Sequence, residues 1–217
     1  MAVLLKLLDA TLYIGGIPIL WREIIGNIFG LASAIGGMRR AMWAWPIGII
    51  GNILLFTVFL GGVFHTPQAL DLYGQAGRQV MFLAVASYGW LTWKKKKTAR
   101  TPHWASAKER LFMVAMAIVG TIGFALIFKA LGSWGPWADA WIFTGSWLAT
   151  FGMARGWNEF WLVWVAVDIV GVPLLFIAGY YPSAALYIIY AVFVLWGFIV
   201  WVRSSSRNPQ HQAHSDT

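Results

Sequence analysis

Seven apolar stretches of about 17–25 residues, each long enough to cross ~30 Å of hydrocarbon as a helix, dominate this chain. They run about 19–38, 44–64, 72–93, 110–131, 136–154, 157–178 and 181–202. The bilayer core offers no water to backbone N–H and C=O groups, so each stretch must be a helix that satisfies its own main chain. The expected fold is an all-α membrane bundle, a single domain over residues 1–203, with a polar tail over 204–217 expected to be disordered. Charged residues make up only 11% of the chain and hydrophobic ones 59%, with a mean hydropathy of +0.67. A soluble domain carries about 25% charged residues.

The net charge of +8 invites a nucleic-acid partner, but the positions of the charges argue against one. Of the 16 Lys and Arg, 12 fall where one face of the membrane would lie: Arg39, Arg40, Lys94 to Lys97, Arg100, Lys108, Arg110, Arg155, Arg203 and Arg207. Lys6, Arg22, Arg78 and Lys129 are the remainder. The positive-inside rule puts the larger set in the cytoplasm, giving an N-out, C-in topology. Lys94–Lys97 then read as a topology anchor, with contact to anionic lipid headgroups as a by-product. The chain has no cysteine, which removes disulfides and thiolate chemistry. Its first twenty residues do not have the form of a signal peptide. Lys6 and Asp9 suggest a short interfacial helix before the first span.

The two halves of the chain repeat one another. Trp45, Pro46, Gly48 and Asn52 of the second span read W-P-x-G-x-x-x-N, and Trp161 to Asp168 of the sixth keep the same interval from indole to polar group, 116 residues later. Gln79, Tyr88, Gly89 and Trp93 correspond to Tyr187, Trp196, Gly197 and Trp201 at an offset of 108. The longer loop between second and third spans in the first half accounts for the change of offset. First and fifth spans start on the same side, so the repeats are parallel and the fourth span is an inverting linker. The plan is repeat one about 19–93, linker helix 110–131 and repeat two about 136–202, a 3+1+3 arrangement with a site between the halves. The competing explanation is chance similarity between aromatic-rich helices.

Asp168 lies in the middle of an apolar span, where a carboxylate is costly and must face the bundle interior or water. The spacing W-x-x-W-x-x-x-D puts Trp161, Trp164 and Asp168 on one helical stripe, with Trp157 a turn further back and Glu159 on the opposite face. An indole wall with one negative charge suits a flat cationic or polar ring. Asn27, Asn52, Gln79, Tyr187 and Tyr190 are the other candidate substrate-binding residues, with Glu23 and Gln75 also buried in spans. For Asn and Gln the plainer role is an interhelical hydrogen bond, and Asp168 has an alternative partner in Arg78. Trp21, Trp43, Trp134, Trp137 and Trp141 read as interfacial belts, and Gly26 with Gly30 as a close helix contact. No phosphate-binding G-x-x-x-x-G-K-[ST] loop, metal cluster or catalytic triad is present in the sequence. Neither an enzyme nor a cofactor is expected.

These motifs together carry a resemblance. W-P-x-G-x-x-x-N at Trp45–Asn52, Gln79 with Y-G-x-x-x-W at Tyr88–Trp93, and N-E-x-W-x-x-W-x-x-x-D at Asn158–Asp168 are similar to those of PnuC-type vitamin transporters, over about residues 20–203. The resemblance implies seven spans in a SWEET-like 3+1+3 arrangement, a trimer, and a bacterial cytoplasmic-membrane location. It also implies facilitated diffusion of nicotinamide riboside, with cytoplasmic phosphorylation trapping the substrate for NAD biosynthesis. Relatives carrying thiamine or riboflavin-like molecules leave the vitamin open. A seven-helix receptor that binds without transporting is the alternative from a different class.

Overall fold

The computed structural model describes residues 10–38, 41–92 and 103–206. Seven helices are present among them: α1 (Trp21–Met38), α2 (Ala44–Phe59), α3 (Tyr73–Thr92), α4 (Ala107–Ala130), α5 (Pro136–Arg155), α6 (Glu159–Ile177) and α7 (Tyr181–Ser206). Each coincides with one of the apolar stretches. Arg39, Arg40, Trp93 to Lys97, Arg100, Arg207, the interfacial helix expected at Lys6–Asp9 and the tail beyond Ser206 lie outside the described residues. By length and composition α4, α6 and Tyr181–Arg203 of α7 can cross a membrane, while α2 is apolar but shorter. Buried polar residues interrupt the others: Glu23 and Asn27 in α1, Gln75, Arg78 and Gln79 in α3, Asp139, Thr144 and Ser146 in α5.

Local chemistry sets several boundaries. Ser106 and Glu109 form a reciprocal capping box at the start of α4. Pro136 opens α5, where its missing N–H costs nothing, and Gly156 ends it in the left-handed conformation. The second span was expected to reach residue 64, but α2 stops at Phe59. Asp71 explains the difference: its carboxylate accepts from the N–H of Gly62 at 2.9 Å and of Val63 at 3.4 Å, folding the chain back after the Gly61–Gly62 pair. The all-α expectation needs one correction. Residues 11–20 form a hairpin, β1 (Thr11–Ile14) against β2 (Ile17–Leu20), ahead of α1. Gly15 and Gly16 both have positive φ (60° and 83°), the geometry of a two-residue turn matching strand twist.

Sequence neighbours pack against one another within the triplets α1–α2–α3 and α5–α6–α7, and α4 leans mainly on α5. Between the triplets α1 meets α7 and α3 meets α5. The shared core includes Leu55, Val58 and Phe59 of α2, Val167 and Leu175 of α6, and Tyr187 of α7. Gly26 and Gly30 of α1 let the helix approach α2, since a Cβ on the facing Gly51 would stand 3.1 Å from the Gly26 carbonyl and 3.2 Å from the Gly30 nitrogen.

One contact occurs twice. The Trp45 indole of α2 lies on Gly89 of α3, and the Trp161 indole of α6 lies on Gly197 of α7; a Cβ on either glycine would collide with the ring. Gly89→Ala and Gly197→Ala should therefore each lower the thermal midpoint of detergent-purified protein, at a cost of about 1–3 kcal/mol for overpacking. Gly123→Ala in α4 meets open space and should raise it or leave it unchanged, because Ala is the better helix former.

Candidate substrate site

Helix α3 brings Gln75, Arg78, Gln79 and Phe82 onto one stripe at spacings of three and four. That stripe faces α6 and α7. The Arg78 guanidinium lies over the Tyr187 ring at 4.7 Å and the Phe82 ring at 5.6 Å. Phe82 in turn packs against Trp164, with ring centroids 6.1 Å apart. Tyr187 donates from its hydroxyl to Oε1 of Gln75 at 2.9 Å, and its ring fills the space left by Gly171. Three helices thus supply one connected set of aromatic and polar groups.

The set is buried and incompletely satisfied. Gln79 is 2% exposed, and Arg78 and Asp168 are each 7%. Nε2 of Gln75, Nε of Arg78 and Oδ2 of Asp168 are buried with no hydrogen-bond partner. Arg78 is within electrostatic reach of Asp168, Asp139 and Tyr187, yet among the described residues no ion pair within 4 Å joins it to either carboxylate. Burying an arginine and an aspartate in this way is expensive unless a further polar group completes them. Such a group can be a ligand with both donors and acceptors. Asp168 faces the bundle interior, as its cost in lipid requires.

The remaining sequence candidates are spread more widely. Trp164 and Tyr187 belong to the set directly. Tyr190 is half-buried on α7, its hydroxyl beside Gly30 of α1 and within electrostatic reach of Arg78. Asn52 is half-buried on α2, one turn from Phe56, which packs against the core holding Tyr187. Trp161 shares the stripe of Asp168 and packs 4.3 Å from Phe160 and 5.8 Å from Trp201, over Gly197, with its indole N–H buried and without a hydrogen-bond partner. Asn27 donates to the Glu23 carbonyl at 2.9 Å and to Oγ of Ser183 at 3.0 Å, in a contact between α1 and α7. Trp157 precedes α6 and is buried against Ala105 and Met113. Glu159 accepts from the Ala105 N–H and pairs with Arg110 at 2.8 Å.

From sequence Arg78 stands out only as a partner for Asp168, and no motif marks Phe82. The available signal was a lone arginine inside a span, away from the basic face. An apolar groove lined by Ile189, Val192, Phe193 and Trp196 lies on the outer side of α7 and is separate from this set.

A bundle of apolar helices around a buried, half-satisfied polar and aromatic site defines a multi-pass membrane protein with an interior suited to a small polar ligand. The chain belongs to the nicotinamide mononucleotide transporter family, that of the PnuC-type proteins, whose model matches residues 20–203. It is 42% identical over 200 residues to the riboflavin/roseoflavin transporter RibM of Streptomyces davaonensis, covering 88% of each chain. It is 26% identical over 221 residues to the nicotinamide riboside transporter PnuC of Escherichia coli, covering 88% of this chain and 89% of that one. The crystal structure of the vitamin B3 transporter PnuC shares its fold, with a TM-score of 0.65 at 20% identity, covering 86% of this chain and 83% of that one.

Proposed function

We propose that this protein carries riboflavin, or a flavin close to it, across a bacterial cytoplasmic membrane by facilitated diffusion. Arg78 is the observation that carries the choice of substrate. Nicotinamide riboside has a permanently cationic ring, and Asp168 alone would favour it. With Arg78 beside it, the pair sums to no net charge. Like charges ~5 Å apart at an effective dielectric constant of about 20 repel by about 3 kcal/mol, which offsets the attraction of the carboxylate. An isoalloxazine ring is flat and neutral and presents carbonyl acceptors to the guanidinium. Its ribityl hydroxyls match Asp168 and the two glutamines, and Trp164 and Phe82 offer ring faces. The similarity to a riboflavin/roseoflavin transporter supports the same reading.

In this reading the molecule is a 3+1+3 transporter, N-out and C-in. Repeats α1–α3 and α5–α7 rock about the site, and α4 inverts the second repeat. The duplicated indole-on-glycine contact and the reciprocal α1–α7 and α3–α5 contacts support two parallel repeats related by a pseudo-two-fold axis. Cytoplasmic phosphorylation would trap the substrate.

Flavin fluorescence provides the test. Riboflavin added to purified protein should be quenched saturably, and a large excess of nicotinamide riboside should displace little of it. Saturable binding of nicotinamide riboside with no flavin quenching would establish the second reading, which Asp168 and the similarity to the E. coli protein favour. In proteoliposomes, collapse of the proton gradient should leave the initial uptake rate unchanged.

A further inference from the structure

We propose that two equivalent carboxylate latches, Glu23 on the start of α7 and Asp139 on the start of α3, hold one end of the transporter shut and must break for the site to open there. Each latch crosses between the halves. Oε1 of Glu23, in the first turn of α1, accepts from the N–H of Ser183 at 3.1 Å and its hydroxyl at 2.7 Å. Oδ2 of Asp139, in the first turn of α5, accepts from the Gly74 N–H at 2.6 Å and the Ser133 hydroxyl at 2.8 Å, while Oδ1 accepts from the Gln75 N–H at 2.8 Å. Glu23, Asp139 and Gln75 are fully buried, and Ser183 is 1% exposed.

The two latches are one device present twice. Glu23 and Asp139 are 116 residues apart, and Gln75 and Ser183 are 108 apart. These are the offsets that align the tryptophan and glycine motifs of the two repeats. In both, a carboxylate from the first helix of one half caps the third helix of the other, where orphan N–H groups and the helix dipole favour an anion. Helix α3 comes so close that a Cβ on Gly74 would strike the Asp139 main chain.

All four helices concerned begin at the same end of the bundle. Other bonds between the halves cluster there too: Tyr180 donates to the carbonyls of Val58 at 3.2 Å and Leu70 at 3.3 Å, and Gln68 donates to that of Gly179 at 3.3 Å. Rocking that opens the latched end must pull each carboxylate off its helix terminus. Charge-assisted bonds of this kind are strong while dry and weak once hydrated, so the pair acts as a two-state catch. Its position on the extracellular side rests on the topology proposed above.

Cysteine chemistry tests this without reference to the substrate, because the chain has no cysteine of its own. Gln79 is 2% exposed and one turn beneath Gln75, so Gln79→Cys is a reporter for opening of this end. Cells carrying that variant should react slowly with an external, membrane-impermeant maleimide. Adding Glu23→Gln with Asp139→Asn, which keep one acceptor oxygen each, should raise the rate at least about tenfold. As a complement, Glu23→Cys with Ser183→Cys, bridged by a short reducible bifunctional reagent, should stop riboflavin uptake until a reductant is added. Unchanged labelling, or full uptake by bridged protein, overturns the latch. Faster labelling, together with no riboflavin uptake by the parent protein that carries none of these substitutions, leaves the latch standing and overturns the flavin reading instead.

Discussion

Arg78→Gln should weaken riboflavin binding to purified protein by about 10–100-fold, the range expected for a lost hydrogen bond to a charged group. The guanidinium is 7% exposed and its Nε lacks a partner, so its desolvation is completed only when a ligand supplies acceptors. That makes stability the control. Arg78→Gln with Asp168→Asn removes both buried charges and should leave the thermal midpoint of the empty protein unchanged or higher while the flavin titration shifts, whereas Arg78→Gln alone strands Asp168 and should lower the midpoint. Arg78→Lys should fall between, because an ammonium keeps the charge but not the forked donor geometry. If Arg78→Gln binds riboflavin as the parent does, the charge argument for a neutral substrate fails. A gain of nicotinamide riboside binding in the same variant would be its positive counterpart.

The second large effect is expected at Asp168. Asp168→Asn leaves Arg78 without its electrostatic neighbour inside the bundle, and Oδ2 of Asp168 has no other partner to be missed. The single variant should therefore be less stable than the double variant Asp168→Asn with Arg78→Gln. Interaction energies between coupled residues run to about 0.5–3 kcal/mol, and a double-mutant cycle on thermal midpoints, repeated on flavin affinity, would measure this one. Additive midpoints would mean that the two charges do not act on each other. Affinity should fall in both variants, since the asparagine keeps one acceptor oxygen but lacks the charge that strengthens a carboxylate's bonds to the ribityl hydroxyls.

Helix number and approximate bounds were legible because lipid leaves a backbone little choice. A run of about 20 apolar residues must be helical to satisfy its own N–H and C=O groups. The proposed repeat rests on a related reason. An indole that lies on a helix backbone needs a glycine beneath it, so Trp45 with Gly89 and Trp161 with Gly197 left a mark at fixed offsets. The hairpin at Thr11–Leu20 also has a signal in the sequence, a Gly-Gly pair between short runs of β-formers. The early end of α2 had none that periodicity could reveal, because it depends on where the Asp71 side chain reaches.

The site was legible only in outline. Helical spacing put Trp161, Trp164 and Asp168 on one stripe, but a stripe winding along a helix meets different neighbours at each turn. Trp164 meets Phe82 across the interface with α3, whereas Trp161, one turn away, meets Gly197 and Trp201. Asn27 likewise has the composition of a ligand contact and the surroundings of a helix–helix bond.

Composition and the spacing of apolar runs were enough to define a seven-helix bundle, and the doubled motifs carry the proposal that it is built from two related triplets. Those properties follow from backbone satisfaction and periodicity, which are local along the chain. Which polar groups share the interior was decided by tertiary structure alone. Arg78 and Asp168 are 90 residues apart, beyond what any helical period can relate, and they act on each other only because side chains of α3 reach those of α6 and α7 across the interior. Electrostatic energy depends on distance through space, and that distance is set by how the helices cross.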